Sequence, residues 1–354
     1  MHDPANALPA TKPAASGDVP IVFAGGLYDR MQALYTGEVR PKGIDLKFVI
    51  NDEPRDIFNR MLGTQEYDVS EMSSSDFIAR LSVEGERCPL VALPVIPSRV
   101  FRHSFITINE ASGIRSPKDL EGRRIGVPRY SMTAAVWMRG HLQHEYGVDL
   151  STIQWVEGAI NKPGDHGDPP LLPLLRDIPI ERNREGKSLS QSLDEGWIDA
   201  LLGTALPESR RHNPRIRRLF TDFRQVEKDY YRRTGIFPIM HMIAIRRSTW
   251  EANPFIAGSL YRAFEESKQV ALKHMRHLAA LRYMVPFLTD DLEEMETLFG
   301  DDPFPYGVEA NRHNLETLMS YMVEQGILKA AMPVEQLFVP IDGPAAAMGS
   351  VAGL

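Results

Sequence analysis

Residues 21–49 read IVFAGGLYDRMQALYTGEVRPKGIDLKFV. Ile21–Ala24 is a short apolar run closed by Gly25-Gly26, the pattern of a buried strand that ends in a turn. Asp29–Tyr35 then places Met31, Leu34 and Tyr35 on one face at helical spacing. Gly43–Val49 alternates apolar with polar or charged residues and predicts a second strand. Strand, helix, strand in this order predicts parallel pairing with helices on the sheet faces.

The same alternation continues outward. Arg55–Leu62 carries Ile57, Phe58, Met61 and Leu62 at amphipathic spacing. Tyr67–Val69 predicts a short strand, and Ser73, Ser74, Ser75 and Asp76 are good caps for a helix through Leu81. Leu90–Val95 and Phe105–Ile108 are β-rich. A second module follows: a helical turn at Ser116–Gly122, a strand at Arg124–Val127, and a helix capped by Ser131 that runs to Tyr146 and stops at Gly147. After Gln154–Glu157, residues 158–186 predict a long, lid-like loop with one short strand. Ser190–Glu195 reads as helix, Ile198–Leu202 and Ile216–Leu219 as strands, Gly235–Ile245 as β-rich, and 253–325 as mostly helix. No repeat with a period of roughly 20–50 residues is visible, which excludes solenoids and propellers.

Composition bounds the rest. The chain has 354 residues, 43% hydrophobic and 25% charged, enough for about two domains at roughly 150 residues each. Forty basic against forty-seven acidic residues give a net charge of −7, so nucleic acid is a poor partner. One cysteine, Cys88, excludes an internal disulfide and a Cys-based zinc site. The longest apolar runs fall short of the ~18–20 residues that span a bilayer. Residues 1–20, rich in Pro and Ala, lack the basic start and apolar stretch of a secretory signal. They predict a flexible arm on a cytoplasmic protein; residues 341–354 predict a flexible tail.

In open α/β sheets, ligands sit beyond the carboxyl ends of the strands. The polar residues that collect there are Tyr28 and Asp29 after the first strand, and Ser70, Glu71, Ser73 and Ser74 after the third. Ser98, Arg99, Arg102 and His103 lie between the fourth and fifth strands. Arg129, Tyr130, Ser131 and Thr133 follow 124–127, and His241 lies in the last β-rich segment. Together they predict a cleft for a small anionic, carboxylate-bearing molecule. Each has a structural alternative: Arg99 and Arg102 as surface ion pairs, His103 and His241 as hydrogen-bonded core histidines, Glu71 as a loop or capping residue. His141/His144 and His274/His277 stand at i, i+3, which a solvated face explains better than metal binding. No HExxH, Gly-x-Ser-x-Gly, GxGxxG or P-loop pattern occurs.

Longer motifs go further. Tyr28-Asp29-Arg30, Gly43–Leu46, Tyr67–Ser73 (YDVSEMS), Pro94–His103 (PVIPSRVFRH), Gly126-Val127-Pro128, Thr133–Gly140 (TAAVWMRG) and Tyr230–His241 (YYRRTGIFPIMH) resemble the 4,5-dihydroxyphthalate decarboxylase family. The match runs from about Val22 to Phe338 and is weakest over 158–186. That family is similar to type II periplasmic solute-binding proteins. The resemblance therefore implies two α/β lobes joined by crossing strands near Phe105–Ile108 and Met240–Ile245, with C-terminal helices. Lobe 1 would be 21–105 plus 242–340, and lobe 2 would be 106–241.

The activity it implies is loss of one carboxylate from 4,5-dihydroxyphthalate, giving 3,4-dihydroxybenzoate (protocatechuate) and carbon dioxide, in phthalate catabolism. Each carboxylate is para to a hydroxyl, so removing the phenolic proton drives electrons to the carbon that must be protonated. The candidate roles are His241 as the carbon acid, Glu71 or His103 as the phenol base, and Arg99 and Arg102 on the spectator carboxylate. Ser73, Ser131 and Thr133 would supply neutral hydrogen bonds, Tyr28 and Asp29 would line the cleft, and Arg139 is matched within its motif. No organic cofactor is required, and a divalent metal chelated by the catecholic oxygens is an open alternative. The other function class is a non-catalytic solute-binding protein of an uptake system, or a sensor, for an aromatic carboxylate. Helices over Ala310–Gln325 leave two readings open, a homo-oligomer face or packing on lobe 1.

Overall fold

A computed structural model of the chain describes residues 17–167, 172–279 and 281–341. Most of the expected N-terminal arm, nearly all of the tail and 168–171 of the long loop lie outside the described residues. The first half of the chain forms β1 (Val19–Gly25), α1 (Asp29–Thr36), β2 (Ile44–Ile50), α2 (Pro54–Gly63), β3 (Val69–Ser73), α3 (Ser74–Glu84) and β4 (Leu90–Arg99). It continues through β5 (Ile106–Asn109), β6 (Arg124–Val127), α4 (Thr133–Tyr146), β7 (Gln154–Glu157), β8 (Ile180–Arg182), α5 (Leu189–Asp194), β9 (Ala200–Leu202), β10 (Ile216–Arg218) and α6 (Phe223–Thr234). The last elements are β11 (Ile239–Arg246), α7 (Arg247–Ala252), α8 (Phe255–Met275), α9 (Leu288–Phe299) and α10 (Arg312–Glu324).

Two sheets result, with strand orders β2-β1-β3-β11-β4 and β10-β5-β9-β6-β7-β8. Within them β1 is parallel to β2 and β3, and β6 to β7 and β9. β11 runs antiparallel between β3 and β4. The chain passes between sheets through 100–105 and returns through 235–238, a few residues before the expected crossings. The two passages lie side by side: Val100 N–H donates to Pro238 C=O at 3.1 Å, and Phe101 stacks on Phe237 with ring centroids 4.5 Å apart.

Local chemistry sets the element ends. α1 and α4 stop at Gly37 and Gly147, both left-handed (φ 72° and 64°), a conformation that glycine adopts without steric penalty. Pro54 opens α2 at a position where its missing N–H is no loss. Ser73 caps α3, its hydroxyl accepting from Asp76 N–H at 3.4 Å. Ser131 does not cap α4; the N-cap is Met132. Leu90–Arg99 is buried throughout although β4 ends its sheet, because α7, α8 and the Phe338–Val339 segment pack along it. Each aliphatic side chain so buried contributes roughly 1.5–3 kcal/mol.

Candidate active site

His241 sits where two irregular pairings meet. Pro94 and Pro97 have no N–H to give the ladder, and the β11–β4 register jumps from Ile239↔Arg99 to His241↔Ser98 and then to Ile243↔Leu93. Irregularities of this kind re-aim side chains. Within Ile239–Ile245, His241 alone is not buried, with 18% of its side chain exposed.

Glu71 is its partner. The residue lies inside β3 rather than in a loop, 1% exposed. Its Oε1 accepts from His241 Nδ1 at 2.6 Å and from Tyr28 OH at 2.8 Å, and its Oε2 accepts from Gly26 N–H at 3.3 Å. Burial alone would raise its pKa. The charge and hydrogen bond of His241, with Tyr28 and Gly26, outweigh that and hold the carboxyl below its ordinary value. An ionised Glu71 can only accept, so Nδ1 carries the proton and Nε2 is the nitrogen left for a ligand. Tyr28 is pushed strongly upward, first by burial and then by Glu71, so it stays a donor. A Cβ on Gly26 would come within 3.0 Å of the Tyr28 ring, and Arg30 covers that ring with its Cζ 4.2 Å from the centroid. Phe58 of α2 meets the His241 ring edge-on at 4.9 Å.

Beside His241, whose register partner is Ser73, the two sheets meet through hydroxyls. Thr133 Oγ1 lies 3.1 Å from Ser73 Oγ and accepts from Ser75 N–H at 3.0 Å; Ser75 OH donates to Ser131 C=O at 2.8 Å. Ser131 Oγ is buried without a hydrogen-bond partner. A cavity of about 250 Å³ opens against Ser75, Asp76 and Ser131, with Leu172, Leu174 and Ile327 opposite.

Tyr28, Glu71, Ser73, Ser131, Thr133 and His241 are therefore brought into one region. The other expected residues are not. Arg99 donates to Phe237 C=O at 2.9 Å, to Pro305 C=O and to Asn311, tying β4 to the C-terminal segment. Arg102 points both Nε and NH2 at Met240 Sδ, at 3.2 and 2.9 Å. Arg139 donates to Gln325 Oε1 at 2.8 Å and to Tyr130 C=O at 2.6 Å, with its Cζ 3.6 Å from the Tyr130 centroid. Burial lowers all three guanidinium pKa values to about 10. His103 is fully buried and stacks on His141 at 4.7 Å, closed in by Phe220, Tyr146 and Tyr230. No ligand reaches its ring in this arrangement. His141, read as part of a solvated face, is likewise fully buried. Asp29 turns to Arg30 and to a groove shared with His274, Arg282 and Tyr283.

A second polar group lies near the site. Arg55, in the first turn of α2, pairs with Asp76 at 3.2 Å, and its Cζ lies 5.3 Å from the Phe58 centroid. Arg129 donates to Gly167 C=O, which brings His166 beside both arginines. Arg129 stands among the residues collected at a strand end by sequence. Arg55 reads there only as the start of an amphipathic helix, and His166 falls in a loop with no pattern to flag it.

Among the described residues no three His, Cys, Asp or Glu side chains come together as a metal-binding group. No described helix is long and apolar enough to cross a membrane. A protein of Comamonas testosteroni named 4,5-dihydroxyphthalate decarboxylase is 36% identical over 319 residues, covering 90% of this chain and 96% of that one. One of the same name from Pseudomonas putida is 35% identical over 224 residues, covering 63% and 85%. A family model described as NMT1/THI5 like matches residues 40–162. The periplasmic sulfonate-binding protein SsuA of Methylobacillus flagellatus KT superposes with a TM-score of 0.50 at 14% identity, covering 92% of each chain. The fold is thus the two-lobed α/β architecture of type II periplasmic binding proteins.

Proposed function

The chain belongs to the 4,5-dihydroxyphthalate decarboxylase family, and from that premise we propose that it removes one carboxylate from 4,5-dihydroxyphthalate, giving 3,4-dihydroxybenzoate and carbon dioxide. The observation that carries a reaction, rather than binding alone, is the Tyr28–Glu71–His241 relay. An aromatic carboxylate leaves only after its ring carbon has been protonated. His241 Nε2 is the donor: the proton moves to that carbon, aromaticity is lost, and the C–C bond breaks with its electron pair returning to the ring. The para hydroxyl first gives its proton to solvent; as phenolate it feeds electrons to that carbon, takes the pair back when the ring is restored, and is reprotonated from solvent. His241 is recharged from solvent.

Glu71 positions the imidazole and opposes its charge. With Oε1 and Oε2 already occupied, it is not a free phenol base. Ser73, Ser131 and Thr133 offer neutral hydrogen bonds to the departing carboxylate, which avoids stabilising the ground state more than the transition state. The setting is the cytoplasm, and self-association into a homo-oligomer is the remaining partner expectation.

Incubation with 4,5-dihydroxyphthalate should change its ultraviolet spectrum with stoichiometric carbon dioxide release. His241→Ala should lower kcat by at least ~100-fold with little change in KM, consistent with loss of general acid catalysis. Glu71→Gln should retain part of the rate and alter its pH profile. Tight binding without spectral change would make the protein a solute-binding module instead, and near-normal turnover in His241→Ala would remove the acid assignment.

A further inference from the structure

The three arginines expected to grip the substrate are committed to internal acceptors; two others, Arg55 beside Phe58 and Arg129 beside Gly167, also have internal partners but come together at His166. Arg55 comes from lobe 1. Its side chain is 14% exposed, and its Nε is buried without a hydrogen-bond partner although NH1 pairs with Asp76. The guanidinium stands 5.3 Å from Phe58, the ring that meets His241. Arg129 comes from lobe 2, just after β6, and is 6% exposed.

Gly167 joins them. Arg129 donates to its carbonyl, and its φ of +90° brings its Cα close to α2, where an added Cβ would lie 3.0 Å from Arg55 Cγ and 3.3 Å from Asn59 Nδ2. The adjacent His166 is held down to about 4, first by burial and then by Arg55, Arg129 and Lys162, so it is a neutral hydrogen-bonding group at ordinary pH. Two guanidinium groups from opposite lobes thus converge beside a neutral imidazole. Asp76 is the carboxylate paired with Arg55.

We propose that Arg55 and Arg129 form the carboxylate-binding end of the substrate site, one guanidinium from each lobe, holding the ring carboxylate that the reaction leaves in place. The anion site rests on this geometry; which carboxylate it holds rests on the decarboxylase reading. A carboxylate between two guanidinium groups makes charge-assisted, bidentate contacts that a phenol cannot replace. The pair therefore selects ring acids with a second, non-reacting carboxylate, and binding through it draws the lobes together.

The test compares 3,4-dihydroxybenzoate with catechol, which lacks the carboxylate, by calorimetry on the full chain. The wild type should prefer the acid by roughly 30-fold or more, and Arg55→Gln or Arg129→Gln should cut that preference to within about threefold. For 4,5-dihydroxyphthalate, the same variants should raise KM by at least ~10-fold with kcat within about threefold. Asp76→Asn frees Arg55 of its counter-charge and should tighten binding of the acid, an opposite result that a misfolded variant cannot produce. An unchanged preference and KM in both arginine variants would overturn the proposal. If wild type binds 4,5-dihydroxyphthalate in an Arg55-dependent way yet releases no carbon dioxide from it, the anion site stands and the reaction assignment falls.

Discussion

His103 and His141 are two imidazoles, fully buried and stacked 4.7 Å apart, whose four ring nitrogens lack hydrogen-bond partners. Burial, and then Arg233, lower the pKa of His103 to about 4; burial, His103 and Arg102 lower that of His141 well below its ordinary value. In the unfolded chain each takes up a proton below about pH 6.5, which the folded protein refuses until much lower pH. Stability is therefore complete above that range and falls as pH drops from about 6.5 toward 4, by on the order of 3 kcal/mol for His103 alone. Urea unfolding between pH 7.5 and 5 should show this slope, and His103→Phe, which keeps an aromatic face on His141, should flatten it. A slope unchanged in both His103→Phe and His141→Phe would refute the account. The sequence shows both histidines but not this neighbourhood, since they lie on separate elements and meet only after packing.

α4 shows how much one position can carry at the scale of an element. It is buried along Thr133–Leu142, and Trp137 Nε1–H donates to Ile239 C=O at 2.8 Å, anchoring β11 two residues before His241. Its other side receives α10: Arg139 bonds Gln325, and His144 meets Glu324 at 2.6 Å. α10 thus packs on α3, within the expected lobe 1, and also on α4 of the expected lobe 2. Gly140 permits this closeness, because a Cβ there would stand 2.0 Å from Tyr321 Cδ2. Alanine favours helix over glycine by up to ~1 kcal/mol, but the clash reverses the sign. Gly140→Ala should destabilise by roughly 1–3 kcal/mol in chemical denaturation; a gain in stability would mean that α10 does not pack there.

At the scale of the whole molecule, the two sheets meet through the Ser73–Thr133 and Ser75–Ser131 hydroxyl contacts and through Arg55, Gly167 and Arg129. A ligand that spans these polar contacts adds to the cohesion between lobes. A compound bound at a hundred times its Kd stabilises the native state by about 2.7 kcal/mol. Phthalate and 3,4-dihydroxybenzoate should therefore raise the melting temperature by a few degrees in a concentration-dependent way, and catechol far less. Equal shifts from all three would separate stabilisation from the carboxylate.

The alternation of apolar runs with amphipathic stretches determined the α/β architecture. Periodicity is local, and burying one face of each element leaves few ways to stack them. His241, Glu71 and Tyr28 could also be nominated from sequence, because polar residues inside or just past apolar strands stand out. Which arginines serve the ligand was decided only by tertiary structure. Arg99 and Arg102 occupy the more suggestive sequence positions, yet their guanidinium groups find internal partners, while Arg55 sits on an ordinary amphipathic helix. A charged side chain long enough to reach several acceptors is assigned by whatever backbone carbonyls and rings the fold brings near it, and that information is not carried by its neighbours in the chain.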